Sequence, residues 1–151
     1  MKAVLDTNIL VDYLHGIERA KSEVDRYDKP TISLITWIEI LVGAQDKQEE
    51  SLLRRLLQRF EMLAASSEVA MQAVEIRKRN RIRLPDAIIW ATALVHEFLL
   101  LTRNTCDFPR DHPDVRVPYQ AQDGLCSTGR PHGALSSSRP ANGRRLRALQ
   151  S

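Results

Sequence analysis

Apolar residues in this chain fall into short blocks of two periods, and the two kinds alternate. Ala3-Val4-Leu5 is a continuous apolar run, short enough for a buried strand. Asn8 is a candidate cap for a helix through Ile9, Leu10, Tyr13 and Leu14, with Gly16 as the break. Residues 17–27 continue as a more polar helical stretch, and Pro30 introduces a second strand over 31–34. Thr36 then opens a helix that runs to Gly43. The strongest amphipathic pattern covers 49–63, with Leu52, Leu53, Leu56, Leu57, Phe60 and Leu63 on one face. A short strand overlaps its end at 62–65. Ser67 caps a helix reaching about Arg79, with Asn80 as a left-handed terminator. Pro85 suits the first turn of a helix over 86–97. A buried strand over 98–102 and an edge strand over 115–117 complete the pattern. Strands separated by helices predict an α/β fold, a three-layer α/β/α sandwich around a mainly parallel sheet, spanning residues 1–119.

After Tyr119 the periodicity stops. Four of the six glycines and a Ser-Ser-Ser run lie there, so residues 120–151 are expected to form a disordered basic tail. This also changes the meaning of the formal charge of +3: the segment from Tyr119 holds five arginines and one acid, which leaves the preceding body near −1. Basicity in the body is local. Two cysteines, Cys106 and Cys126, are too few for a disulfide framework and lack zinc-ligand spacing. No apolar run has membrane-spanning length, and Met1-Lys2 leads directly into a short apolar stretch ended by Asp6, unlike a secretion signal. A cytoplasmic location is expected.

Four carboxylates stand at element boundaries: Asp6 after Ala3-Val4-Leu5, Glu39 in Ile35-Thr36-Trp37-Ile38-Glu39, Asp86 in Leu84-Pro85-Asp86-Ala87, and Asp107 in Asn104-Thr105-Cys106-Asp107. In an open α/β sheet such boundaries gather at one edge, where ligands bind. Carboxylates gathered there repel one another unless a cation sits among them, which points to a divalent metal. Each also has a purely structural reading. Asp6 suits a turn or cap. Glu39 fits a capping box with Thr36, although a carboxylate in so apolar a helix is costly unless paired. Asp86 is favoured by the helix dipole, which also lowers its pKa. Asp107 suits a turn with Asn104.

Taken together, Val4-Leu5-Asp6-Thr7-Asn8, Ile35-Thr36-Trp37-Ile38-Glu39, Arg83-Leu84-Pro85-Asp86-Ala87-Ile88-Ile89-Trp90-Ala91-Thr92-Ala93 and Thr102-Arg103-Asn104-Thr105-Cys106-Asp107-Phe108 resemble the PIN-domain family, and within it the VapC-type toxins. The resemblance covers about residues 2–119 in order. It implies a Mg²⁺- or Mn²⁺-dependent endoribonuclease of a type II toxin–antitoxin system, neutralised by a VapB-type antitoxin. Asp6, Glu39, Asp86 and Asp107 match the family's acidic quartet, Asn104 its polar residue before the last acid, and Thr7 or Asn8 a lesser polar position. Asp6 and Asp86 are expected to hold the principal ion. Glu39 would act through water or on the nucleophile, with Asp107 in support. Mg²⁺ keeps several waters, so two or three carboxylates suffice. With water as the nucleophile, the expected products carry a 5′-phosphate and a 3′-hydroxyl.

Arg77-Lys78-Arg79-Asn80-Arg81-Ile82-Arg83 places five basic side chains in seven positions just before Asp86. Arg79, Arg81 and Arg83 are candidates for RNA phosphates, with Arg103 across the cleft. The alternative for the first of these is a solvated helix end whose cations complement the dipole. Trp37 and Trp90, inside apolar runs, read as core. The wide apolar face over 49–63 is part core and part a surface for an antitoxin helix or a second copy, and a homodimer is expected. DNA would be reached only through the antitoxin. Two rivals are a housekeeping PIN nuclease of RNA maturation and a non-catalytic module, its acids merely capping helices, that tethers a partner to DNA.

Overall fold

The computed structural model describes residues 1–120; the tail expected to be disordered lies, from residue 121 onward, outside them. Five strands form one parallel sheet: β1 (Ala3–Leu5), β2 (Thr31–Ser33), β3 (Glu61–Leu63), β4 (Leu99–Leu101) and β5 (Val115–Arg116), in the order β3-β2-β1-β4-β5. Val4 pairs with Thr31 on one side and Leu100 on the other, so β1 is central. From β1 the chain moves outward through β2 to β3, then returns to β4 on the opposite side and continues to β5. The reversal beside β1 opens a crevice at the strand C-termini.

Among the described residues six helices cover both faces: α1 (Thr7–Leu14), α2 (Glu18–Val24), α3 (Leu34–Val42), α4 (Lys47–Leu57), α5 (Ser67–Arg79) and α6 (Leu84–Val95). Alternation along β1 divides the core. Ala3 and Leu5 pack with Ile9, Leu10, Val24, Ile40, Leu53 and Leu57 from the first four helices. Val4 packs with Val69, Ala73, Ile76, Ile89 and Trp90 from the last two. This side-to-side alternation is the strand's period of two, and it makes the three layers. Trp90 is core, edge-on to Phe108 and His112. Trp37 packs at the margin of the first cluster with the Arg54 guanidinium over its ring.

Several boundaries differ from those the sequence suggests. The amphipathic stripe over 49–63 is not one helix: α4 ends at Leu57, Phe60 enters the core from a turn, edge-on to Tyr13, and the chain continues into β3. The Glu61 N–H donates to Pro30 O, and pairing with the open edge of β2 satisfies backbone groups that another helical turn would have used. Asn80 is extended, at φ −123° and ψ 139°, and caps α5 through its side-chain amide on Ile76 O rather than by a left-handed turn. α6 ends at Val95, and the turn into β4 is made by Glu97 at φ 56°.

Candidate metal-dependent active site

The crevice beside β1 is lined by Asp6, Glu39 and Asp86, with Thr7, Asn8, Arg83, Arg103 and Asn104 around them. Asp6 follows β1 as the residue leaves the sheet. It is itself the N-cap of α1, accepting from Thr7 N at 2.7 Å; the cap expected at Asn8 is two residues too late. Asn8 acts differently. Its amide donates to Asp6 Oδ2 at 2.8 Å, and its carbonyl accepts from Arg103 N. The Thr102 hydroxyl also donates to Asp6 Oδ2, at 2.7 Å. Asp6 is 2% exposed and its pKa is pushed up to about 6. Burial is the main cause; the Thr102 and Thr7 bonds oppose it, and the charges of Asp86 and Glu39 add to it.

Glu39 lies in the middle of α3. Ser33, not Thr36, caps that helix, accepting from Thr36 N at 3.0 Å, so no capping box forms at Thr36–Glu39. Glu39 is exposed, and the cost expected for a carboxylate in an apolar helix does not arise. Its Oε2 accepts a hydrogen bond from the Thr7 hydroxyl, which ties α3 to the start of α1.

Asp86, in the first turn of α6, is 7% exposed and bonded by Arg83 Nε at 3.0 Å. Its pKa is raised, contrary to the lowering expected from the dipole. Burial outweighs the Arg83 charge and hydrogen bond, and Asp107 and Glu39 push the same way. Asp107 is half-buried beside this group rather than lining the crevice. Asn104 holds it, donating to Asp107 Oδ2 at 2.7 Å and accepting from Asp107 N and Cys106 N.

The basic candidates separate. Arg83 faces the acids. Arg103 is committed to Asp12: Nε approaches Asp12 Oδ2 at 2.8 Å without hydrogen-bond alignment, and Nη2 bonds Oδ1 at 3.4 Å. Tyr119 OH donates to the same carboxylate, and burial beside Asp12 raises its pKa. Arg79 approaches Glu75 at 3.9 Å, and neither it nor Arg81 lines the crevice. Sequence reasoning missed Thr102, whose buried hydroxyl bridges Asp6 and Asn104 N. Its signal was a lone polar residue closing Leu99-Leu100-Leu101.

Among the described residues no three His, Cys, Asp or Glu side chains form a ready-made metal cluster. The donor set nonetheless fits one kind of ion. The groups on the crevice able to ligate a metal are oxygens, without His or Cys, which suits a hard, largely hydrated cation such as Mg²⁺ better than Zn²⁺. The charges of Asp86 and Glu39 add to the burial that raises Asp6.

The PIN domain family profile matches residues 3–110. Ribonuclease VapC10 of Mycobacterium tuberculosis is 32% identical over 114 residues, covering 70% of this chain and 85% of that relative. A toxin–antitoxin complex from Klebsiella pneumoniae contains a chain that is 41% identical with a TM-score of 0.73, covering 79% of this chain and 99% of its own. VapBC2 from Rickettsia felis, bound to a promoter DNA fragment, shares the fold, with 24% identity, a TM-score of 0.65, and coverage of 76% and 96%. No helix among the described residues is long and apolar enough to cross a membrane.

Proposed function

This chain belongs to the PIN-domain family, and on that premise we propose that it is a divalent-metal-dependent endoribonuclease, the toxin of a toxin–antitoxin pair. The observation that carries the reading is the convergence of Asp6, Glu39 and Asp86, from three separate elements, on one crevice. Asp6 and Asp86 would hold Mg²⁺, with Mn²⁺ as a substitute; Glu39 would take part through water, and Asp107 with Asn104 would support the far side. When bound, the ion supplies Lewis-acid stabilisation of the phosphate and an activated water.

The chain's own residues prepare that chemistry. Thr7 N, Asn8 and Thr102 fix both oxygens of Asp6 in one orientation. The Thr7 hydroxyl holds Glu39 toward the crevice. Burial of Asp6 and Asp86 keeps water from screening the ionised pair, so a divalent cation gains more there than at a solvated carboxylate. Ile38 and Val42 stand exposed on α3 on either side of Glu39, an apolar rim that an antitoxin segment would cover. This partner preference follows from the toxin–antitoxin setting of the Klebsiella pneumoniae chain. Contact with DNA would come through the antitoxin, and a cytoplasmic location suits an RNA substrate.

The test is to incubate purified protein with total RNA in Mg²⁺ or in EDTA and to map new 5′ ends. Cleavage that needs Mg²⁺ and leaves 5′-phosphates is expected. RNA left intact in both conditions would remove the nuclease reading and leave a binding module.

A further inference from the structure

Arg83 stands where the cleft most needs positive charge, yet little holds it there. Its Nε bonds Asp86 Oδ2 at 3.0 Å while its side chain remains 77% exposed. Arg83 is the N-cap of α6, but its side chain makes no capping bond, so it can turn away without loosening the helix. Asp86, Asp107 and Glu39 all act on the guanidinium, with Asp86 foremost. Arg103, the other arginine on the crevice, differs: it is 30% exposed and tied to Asp12. Only one of the two cations is thus both adjacent to a carboxylate of the crevice and able to leave it.

We infer that Arg83 is an internal counter-cation of the metal-free site: it occupies Asp86 Oδ2 until a divalent ion claims that oxygen, and then swings out to the rim. The inference rests on the metal-dependent reading of the crevice. One carboxylate oxygen cannot give its full charge to both a guanidinium and a divalent ion, so the two compete. An exposed ion pair shifts such an equilibrium by a factor of about two to five. Arg83 therefore keeps Asp86 paired in the apo protein and raises the ion concentration at which the site fills.

The test is a Mn²⁺ titration of the full chain at low ionic strength, with free Mn²⁺ followed by electron paramagnetic resonance. Wild type, Arg83→Gln, Arg83→Lys and Asp86→Asn are compared. Arg83→Gln is expected to bind Mn²⁺ about three- to fivefold more tightly than wild type, and Arg83→Lys to stay within about twofold of it. Asp86→Asn should lose the site. If wild type binds Mn²⁺ and Asp86→Asn does not, but Arg83→Gln is no tighter, the counter-cation role falls while the metal site stands. Equal tightening by Lys and Gln would also overturn it, since the charge would then be irrelevant. Absence of Mn²⁺ binding in every variant would remove this inference and the metal reading together.

Discussion

Two regions of the molecule bury carboxylates and treat them in opposite ways. Glu23 of α2 is 6% exposed and meets Arg116 of β5 through two bonds, Nε to Oε1 at 2.6 Å and Nη2 to Oε2 at 3.2 Å. Tyr27 and Arg26 complete the group. Burial pushes the Glu23 pKa up, but the Arg116 bonds and charge, helped by Arg26, hold it below the usual value. Asp6 is buried as deeply and receives three hydrogen bonds, all from neutral donors. No cation is among the influences on it, and its pKa rises to about 6. Neutral donors orient a carboxylate without neutralising it. Glu23 is closed with the chain's own charge; Asp6 is held in shape without one, the condition that the proposed metal site requires.

The sharpest way to break this contrast is to remove the outstanding charge. Asp6→Asn and Asp86→Asn should each reduce Mg²⁺-dependent RNA cleavage by about three orders of magnitude, because the ion supplies several kcal/mol of transition-state stabilisation. In EDTA at neutral pH, Asp6→Asn should also be more stable than wild type, by roughly 1–3 kcal/mol in urea unfolding, since it deletes an unpaired buried charge. Near-normal cleavage by either variant would reduce these acids to helix caps.

The paired region should respond the other way. Arg116→Met leaves Glu23 buried without its cation and should cost about 2–3 kcal/mol, less than a fully buried pair because Arg116 is partly exposed. Cleavage per folded molecule should not change. Combining it with Glu23→Gln should recover much of the loss; no recovery would mean the cost is packing rather than charge.

Acidity separates the regions by sign. A depressed pKa at Glu23 means stability that is present above its usual 4.5 and lost as pH falls through the lower folded value. The raised pKa at Asp6 means stability that is present below 3.8 and lost as pH rises through about 6. In EDTA, urea midpoints of wild type should therefore lose the Asp6 contribution between about pH 4 and pH 6.5, and Asp6→Asn should lack that loss. The smallest effect concerns the rim. Replacing Arg79 and Arg81 with Ala should weaken RNA binding modestly and lower its salt slope by about 0.7 for each phosphate no longer neutralised. An unchanged slope would show that they do not touch phosphate.

Much of this architecture was legible because strands of a central parallel sheet read as unbroken apolar runs. Ala3-Val4-Leu5 and Leu99-Leu100-Leu101 announce themselves, and polar residues at their ends mark the crevice. Where two periods overlap, the pattern fails. Phe60 and Leu63 continue the stripe of α4 but belong to a turn and to β3, and only the vacant edge of β2 decides between them. Pairings across long sequence separations were equally hidden. Arg103 gave no sign of its partner Asp12, and Glu23 none of Arg116, 93 residues away. Glu39 shows a subtler limit: its neighbours in sequence are apolar, yet the helix turns it outward to Thr7.

Asp6 has no cation of the chain's own against it, and in the proposed reading a divalent ion supplies that charge. Thermal unfolding at about pH 7.5 in saturating Mg²⁺ and in EDTA, for wild type beside Asp6→Asn, tests it most directly. Wild type should melt about 5–10 °C higher with Mg²⁺, and the variant should show no rise. Identical melting of wild type in the two conditions, or an equal rise in both proteins, would contradict it.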